Sequence, residues 1–348
     1  MFKRILVPLD GSARAERALP IAARIARATD GTVVLLRAVS LPADLTPYLM
    51  PEGALAQRAT EEGLAEASRY LASVAQSDTL AGIKTETAVV DGLPAPSILA
   101  VVGTRNIELI VICSHGYTGF MRWMLGSVAE KVMHHAPVPV LMLSERGPIP
   151  AGQHPDAERP LRALIALDGS PLAEEALEPA AHLIAALAAP MRGAVHLVRV
   201  LRPPFAEGEL GARLPVDKST REAMLHQAKK YLDDIASRFR TGDLAELKLS
   251  VTWSVAFDAD VAGTLIRIAE NGEDAEGAGV FGRCDLIAMA THGRSGFARS
   301  ILGSVTERVL HATKLPLFIV RPKAAVAEAE TIEKKVVEMN SDIWVGLL

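Results

Sequence analysis

Residues 113–128 read CSHGYTGFMRWMLGSV, and residues 290–305 read ATHGRSGFARSILGSV. Nine of the sixteen positions are identical, 177 positions apart. His115, Gly116, Gly119, Phe120 and Arg122 return as His292, Gly293, Gly296, Phe297 and Arg299. Leu125, Gly126, Ser127 and Val128 return as Leu302, Gly303, Ser304 and Val305. Chance does not produce a match of that length, so the chain reads as an internal duplication.

The segments on either side of each copy repeat too. RILVPL (4–9) leads into Asp10-Gly11-Ser12, and RALIAL (162–167) into Asp168-Gly169-Ser170. Short aliphatic runs bounded by turn residues suit buried strands. Alanine-rich segments with helical spacing follow, and Ser170 with Pro171 supplies a helix start. TVVLLRAV (32–39) and AVHLVRV (194–200) read as strands, and 55–75 and 219–239 as amphipathic helices sharing Tyr70-Leu71 and Tyr231-Leu232. TETAVV and LSVTWSV, helices near 95–104 and 260–270, ELIVIC and DLIAMA, and finally VPVLML (138–143) and LPLFIV (315–320) complete a βαβαβαβαβ order in each half. Strands alternating with helices predict an α/β fold with a parallel sheet. Between Asp168 and His292 the second half carries 19 more residues than the first does between Asp10 and His115, and NGEDAEGAGVFGRC (271–284) supplies about ten of them as a loop. The domain expectation is therefore 1–145, a Pro/Gly-rich linker over 146–159, 160–322, and a tail over 323–348 with helical character.

Composition narrows the function. The 348 residues are 49% hydrophobic, 22% charged and only 4% aromatic, with net charge −4. That suits an aliphatic globular core and argues against nucleic acid as a partner. No apolar run approaches the ~20 residues that span a membrane. MFKRILVPLDGS lacks the pattern of a secretory signal, and Cys113 and Cys284 make neither a disulfide framework nor a metal spacing. The expected compartment is the cytoplasm.

A glycine-rich loop between a buried strand and a helix is an anion site in waiting. Glycine lets backbone amides approach a ligand, and the helix N-terminus adds unpaired N–H groups and partial positive charge. Ser127 and Ser304 stand at the expected helix starts, with Glu130 and Glu307 three residues on, the pattern of a capping box. Those serines are caps, phosphate contacts, or both. Arg122 and Arg299 are either solvated or charge partners for phosphate. His115 and His292 either act chemically or orient the loop. Cys113 reads as a small apolar residue ending a strand rather than a nucleophile. Asp10 and Asp168 are turn residues or face the same crevice beyond the strand ends. The loop lacks the Lys-Ser/Thr of a Walker A loop, and it follows the fourth strand rather than the first, unlike a dinucleotide fingerprint.

These residues resemble the universal stress protein family, here as a tandem pair covering nearly the whole chain. ATP-binding members of that family carry G-x₂-G-x₉-G-(S/T). The frames here are Cys113…Gly116…Gly126-Ser127 and Ala290…Gly293…Gly303-Ser304, each departing at the first glycine, with Cys113 the larger departure. The resemblance implies two doubly wound domains, each a five-stranded parallel sheet of order 3-2-1-4-5 with helices on both faces. It implies ATP, accompanied by Mg²⁺, held by Gly116, Arg122, Gly126, Ser127 and Val128, and by Gly293, Arg299, Gly303, Ser304 and Val305. Asp10 and Asp168 would lie near the adenosine, Pro8 before Asp10 is a common family residue, and Val39 and Val200 would contribute main-chain contacts to adenine. For Mg²⁺ the sequence offers no protein ligand beyond the candidates Asp10 and Asp168. V-x-G-x-P-A appears as Val90 to Ala95 and is absent from the matching FDADVA. Last strands of the family often pair across a dimer, so VPVLML and LPLFIV are expected to join the halves as an intrachain pseudo-dimer, with a homodimer as a further possibility. The implied function is a stress-responsive protein that senses or sequesters ATP, with slow hydrolysis at most. The alternative is a nucleotide-free adaptor acting through dimerisation.

Overall fold

The computed structural model describes residues 1–40, 53–114, 126–144, 159–203, 205–207, 213–215, 218–272, 282–292 and 302–322. The first half runs β1 (Arg4–Pro8), α1 (Ala13–Glu16), α2 (Ala18–Thr29), β2 (Thr32–Val39), α3 (Gly53–Ala75), β3 (Lys84–Asp91), α4 (Pro94–Thr104), β4 (Leu109–Cys113), α5 (Ser127–His135) and β5 (Val140–Leu143). The second runs β6 (Arg162–Ala166), α6 (Pro171–Glu174), α7 (Leu177–Ala188), β7 (Ala194–Leu201), β8 (Phe205–Glu207), β9 (Arg213–Pro215), α8 (Lys218–Arg240), β10 (Ser250–Phe257), α9 (Val261–Asn271), β11 (Leu286–Ala290), α10 (Ser304–Ala312) and β12 (Leu317–Val320). The antiparallel hairpin β8–β9 has no counterpart in the sequence reading. The expected linker lies outside the described residues apart from Arg159, and the tail lies wholly outside them.

Among the described residues the sheet order is β10-β7-β6-β11-β12-β5-β4-β1-β2-β3, ten strands in one sheet. Within each half this is the expected 3-2-1-4-5, with every pairing parallel. The inner strands are continuous apolar runs because helices cover both faces; β4 and β11 bury nearly every residue.

The halves meet where β5 pairs antiparallel with β12, Leu141 opposite Phe318. All four residues of each strand are buried. Pro139 and Pro316 stand just outside the pairing, and their carbonyls accept from Ile110 and Ile287 instead. The strands are thus central rather than edges, and the prolines remove no ladder donor. On one face α2 packs on α7 across this seam. Both helices are rich in fully buried alanine, among them Ala18, Ala22, Ala180 and Ala181, and such small side chains let helices approach closely. Phe2 meets Phe318 edge-on at 6.3 Å, tying the first strand's start to the last strand of the other half.

Candidate functional site

The C-terminal ends of β1 and β6 make the same turn. Asp10 Oδ1 accepts from the Ser12 amide at 2.9 Å, and Asp168 Oδ1 accepts from the Ser170 amide at 2.9 Å and its hydroxyl at 2.6 Å. Ser12 Oγ and Ser170 Oγ then cap α1 and α6 by accepting from Ala15 and Ala173, both at 3.2 Å. Gly11 and Gly169 sit at φ +86°, the left-handed region that glycine enters without cost. The aspartates therefore serve the turn.

Beyond β6, β7 and β11 lies a cavity of about 110 Å³. Asp168, Val200, Gly303, Ser304 and Val305 line it together with Ala290 and His292. Five residues expected from three separate stretches of the second half thus face one space. It is smaller than the ~300–1,000 Å³ of a typical small-molecule pocket and suits part of a ligand. Gly116, Arg122, Gly293 and Arg299 lie outside the described residues.

Each strand–helix junction is closed by backbone. The Gly126 amide donates to Ser114 O at 2.8 Å, and the Gly303 amide to Thr291 O at 2.7 Å. A Cβ at position 303 would stand 2.8 Å from Thr291 O, so glycine is required there by packing alone. The capping-box expectation is corrected. Gly126 and Gly303 are the N-caps, with no side-chain cap bond, and their carbonyls accept from the Glu130 and Glu307 amides at 2.9 Å. Ser127 and Ser304 are the first helical residues, so neither hydroxyl caps its helix and neither glutamate completes a box.

The Val39/Val200 correspondence also changes. Pro8 pairs with Leu36 and Ala166 with Val198, so Ala38 is the counterpart of Val200, and Val39 that of Leu201. Val39 lies against Gly63 of α3 on the opposite face of the sheet, and its carbonyl accepts from Gly92 at 2.8 Å. Aligning Arg37 with Arg199 in the two strands was the signal that could have found Ala38.

The shared Tyr-Leu pair now has a reason. Tyr70 donates to Glu16 at 2.8 Å and carries Arg37 over its ring at 5.0 Å; Tyr231 donates to Glu174 at 3.0 Å and carries Arg199 at 5.0 Å. Both guanidiniums pack against the glycine of the turn. Burial, with the partner glutamate adding to it, pushes both phenols above their usual range. Each triad braces an aspartate turn through its arginine, which packs on the turn glycine. Burial likewise raises the Cys113 thiol to about 12, which removes it as a nucleophile. His292 Nδ1 lies 3.0 Å from Thr291 Oγ1, an orienting contact.

Comparison with known proteins bears on part of this site, including Gly303, Ser304 and Val305. The model of the universal stress protein family matches residues 1–144 and 281–321. A universal stress protein of Methanocaldococcus jannaschii is 33% identical over 150 residues, 42% of this chain and 84% of the relative. One of Mycolicibacterium smegmatis is 24% identical over 327 residues, 92% of this chain and 97% of the relative. Among solved structures, a universal stress protein of Archaeoglobus fulgidus superposes with TM-score 0.56 at 22% identity, over 92% of this chain and 96% of that one, a likeness of fold.

Proposed function

This chain belongs to the universal stress protein family, and from that premise we propose that it binds ATP beyond the C-terminal ends of its strands and works as a nucleotide sensor or store. Residues 1–145 and 160–322 are the two domains of this reading, and the free thiols of Cys113 and Cys284 agree with a reducing cytoplasm. The observation that carries it is the convergence of Asp168, Val200, Gly303, Ser304 and Val305 on one cavity. The first-turn amides of α10, the helix dipole and the Ser304 hydroxyl are the groups that favour phosphate there. Val200 and Ala166 offer an apolar wall for the base, with Asp168 at the rim. ATP would arrive with Mg²⁺, and the phosphates rather than a protein cage would hold most of its coordination. In this reading the residues bind and orient ATP, with slow hydrolysis at most.

The test is thermal unfolding of nucleotide-stripped protein with and without Mg-ATP. Ligand at 100 times its dissociation constant adds about 2.7 kcal/mol. Ser304→Ala removes a hydroxyl that caps nothing, and loss of one hydrogen bond to a charged phosphate should weaken binding by about tenfold or more. Ser127→Ala reports the first half in the same way. Unchanged stability in wild type, with no nucleotide released on denaturation, would reject ATP and leave the adaptor reading.

A further inference from the structure

Helices α5 and α10 carry the same pattern, SVAEKVMHH and SVTERVLHA, so Glu130 and His134 correspond to Glu307 and His311. In each helix the glutamate and histidine are four residues apart, on one face. The pairing of β5 with β12 brings the two faces together. His134 Nε2 lies 3.4 Å from Glu307 Oε2, and His311 Nε2 lies 3.1 Å from Glu307 Oε1. One ligand atom each from Glu130, His134 and Glu307 falls within 4.8 Å of the others. His134 Nε2 is shielded from solvent and has no hydrogen-bond partner among the described residues.

From this geometry we propose that Glu130, His134 and Glu307, with His311 adjoining as a fourth donor, bind a zinc-class divalent cation between the two halves. Imidazole nitrogen with carboxylate oxygen is a donor set that suits zinc. Ligands about 2.0–2.2 Å from a tetrahedral zinc stand about 3.3–3.6 Å from one another, and the contacts around Glu307 are already near that spacing. The cation would be held by His134 Nε2 and would neutralise the two carboxylates, whose oxygens lie within 4.8 Å of each other. It joins two helices whose first residues are Ser127 and Ser304, and so clamps the seam. Nucleotide plays no part in the site.

The experiment is titration of chelator-stripped full chain with Zn²⁺ alone, by competition with a chromophoric chelator, and with Co²⁺ for its visible spectrum. One equivalent should bind, Co²⁺ should show tetrahedral absorption, and Glu307→Gln and His134→Gln should each weaken Zn²⁺ by at least about tenfold. His135→Ala, a neighbour whose Nδ1 bonds Lys131 O, should leave binding unchanged. Glu307→Gln keeps size and shape and decides the matter if the histidine variant misfolds. Absence of stoichiometric binding in wild type overturns the site. So does binding that survives Glu307→Gln, or that is lost equally in His135→Ala.

Discussion

Cys113 closes β4, and Ala290 closes β11. Around this difference the halves diverge while their backbones repeat. In the second half Thr306 Oγ1 donates to Ala290 O at 3.0 Å, stitching the first turn of α10 to the strand; the matching residue of α5 is Ala129, which has no hydroxyl. The helix after the third strand also starts differently. Pro94 opens α4 behind Gly92, at φ +145°, whereas Asp260 caps α9 by accepting from Gly263 at 3.0 Å. Asp260 also pairs with Arg308 of α10 at 2.8 Å. Duplication thus preserves the chain path through backbone bonds at Gly126 and Gly303, while the side-chain ties between elements were free to change. Among the described residues, the second half adds the Thr306–Ala290 tie at the strand end where its cavity lies.

The deepest difference is inside the sheet. His196 replaces Val34, fully buried between β7 and β10, with Nδ1 2.8 Å from Thr252 Oγ1 and Nε2 2.9 Å from Ser254 Oγ. Burial, and after it the Arg162 charge, lowers its pKa to about 3. His196→Val should cost about 3 kcal/mol at neutral pH, because the partly buried Thr252 and the buried Ser254 hydroxyls lose their partner. The pH dependence has a definite sign. The unfolded chain takes up the proton at about 6.5, the folded one only near 3, so wild type loses stability from this residue as pH falls between those values. The gap between wild type and variant should therefore narrow from pH 7 to pH 4 in urea titrations. A constant gap would mean that His196 folds protonated.

Next in size is the turn. Gly11 and Gly169 share φ +86°, so alanine at either costs about 1–2 kcal/mol of backbone strain. They differ in what a Cβ meets: the nearest atoms of Arg37 at 3.6 Å, but Arg199 at 2.8 Å. Arg199 is buried and stacked on Tyr231, so it has little room to yield. Gly169→Ala should cost about 1 kcal/mol more than Gly11→Ala by chemical denaturation. Equal losses would show that the Arg199 clamp is as loose as its counterpart.

Local patterns carried the fold because the inner strands are aliphatic runs and some helix starts have their own residues, as at Ser170-Pro171. What they missed was set by contacts across the chain. S-x-x-E at 127–130 has the letters of a capping box, but the bond from Gly126 to Ser114 moves the cap one residue earlier. Val39 and Val200 end similar strings, yet pairing with β1 and β6 puts them one register apart and on opposite faces. The Arg–Tyr–Glu triads span more than fifty residues, and only the repeated Tyr-Leu hinted at them. Glu130 and Glu307 looked like caps until the seam between the halves placed Glu307 beside His134.

The smallest effect is the most direct exchange between the halves. Thr306→Ala removes the stitch to Ala290 and gives α10 the first-turn residue of α5. One neutral hydrogen bond is worth about 1 kcal/mol. The reverse change, Ala129→Thr, places a hydroxyl where the Cys113 carbonyl corresponds to that of Ala290. It should return a few tenths of a kcal/mol, less than the full bond, because threonine is the poorer helix former. Hydrogen exchange at the first-turn amides reads both changes locally, with Thr306→Ala speeding α10 and Ala129→Thr slowing α5. If Ala129→Thr instead speeds exchange, the side chain at Cys113 crowds the junction. The first half then departs from the second in shape as well as in bonding, and Cys113→Ala in the same background should restore protection.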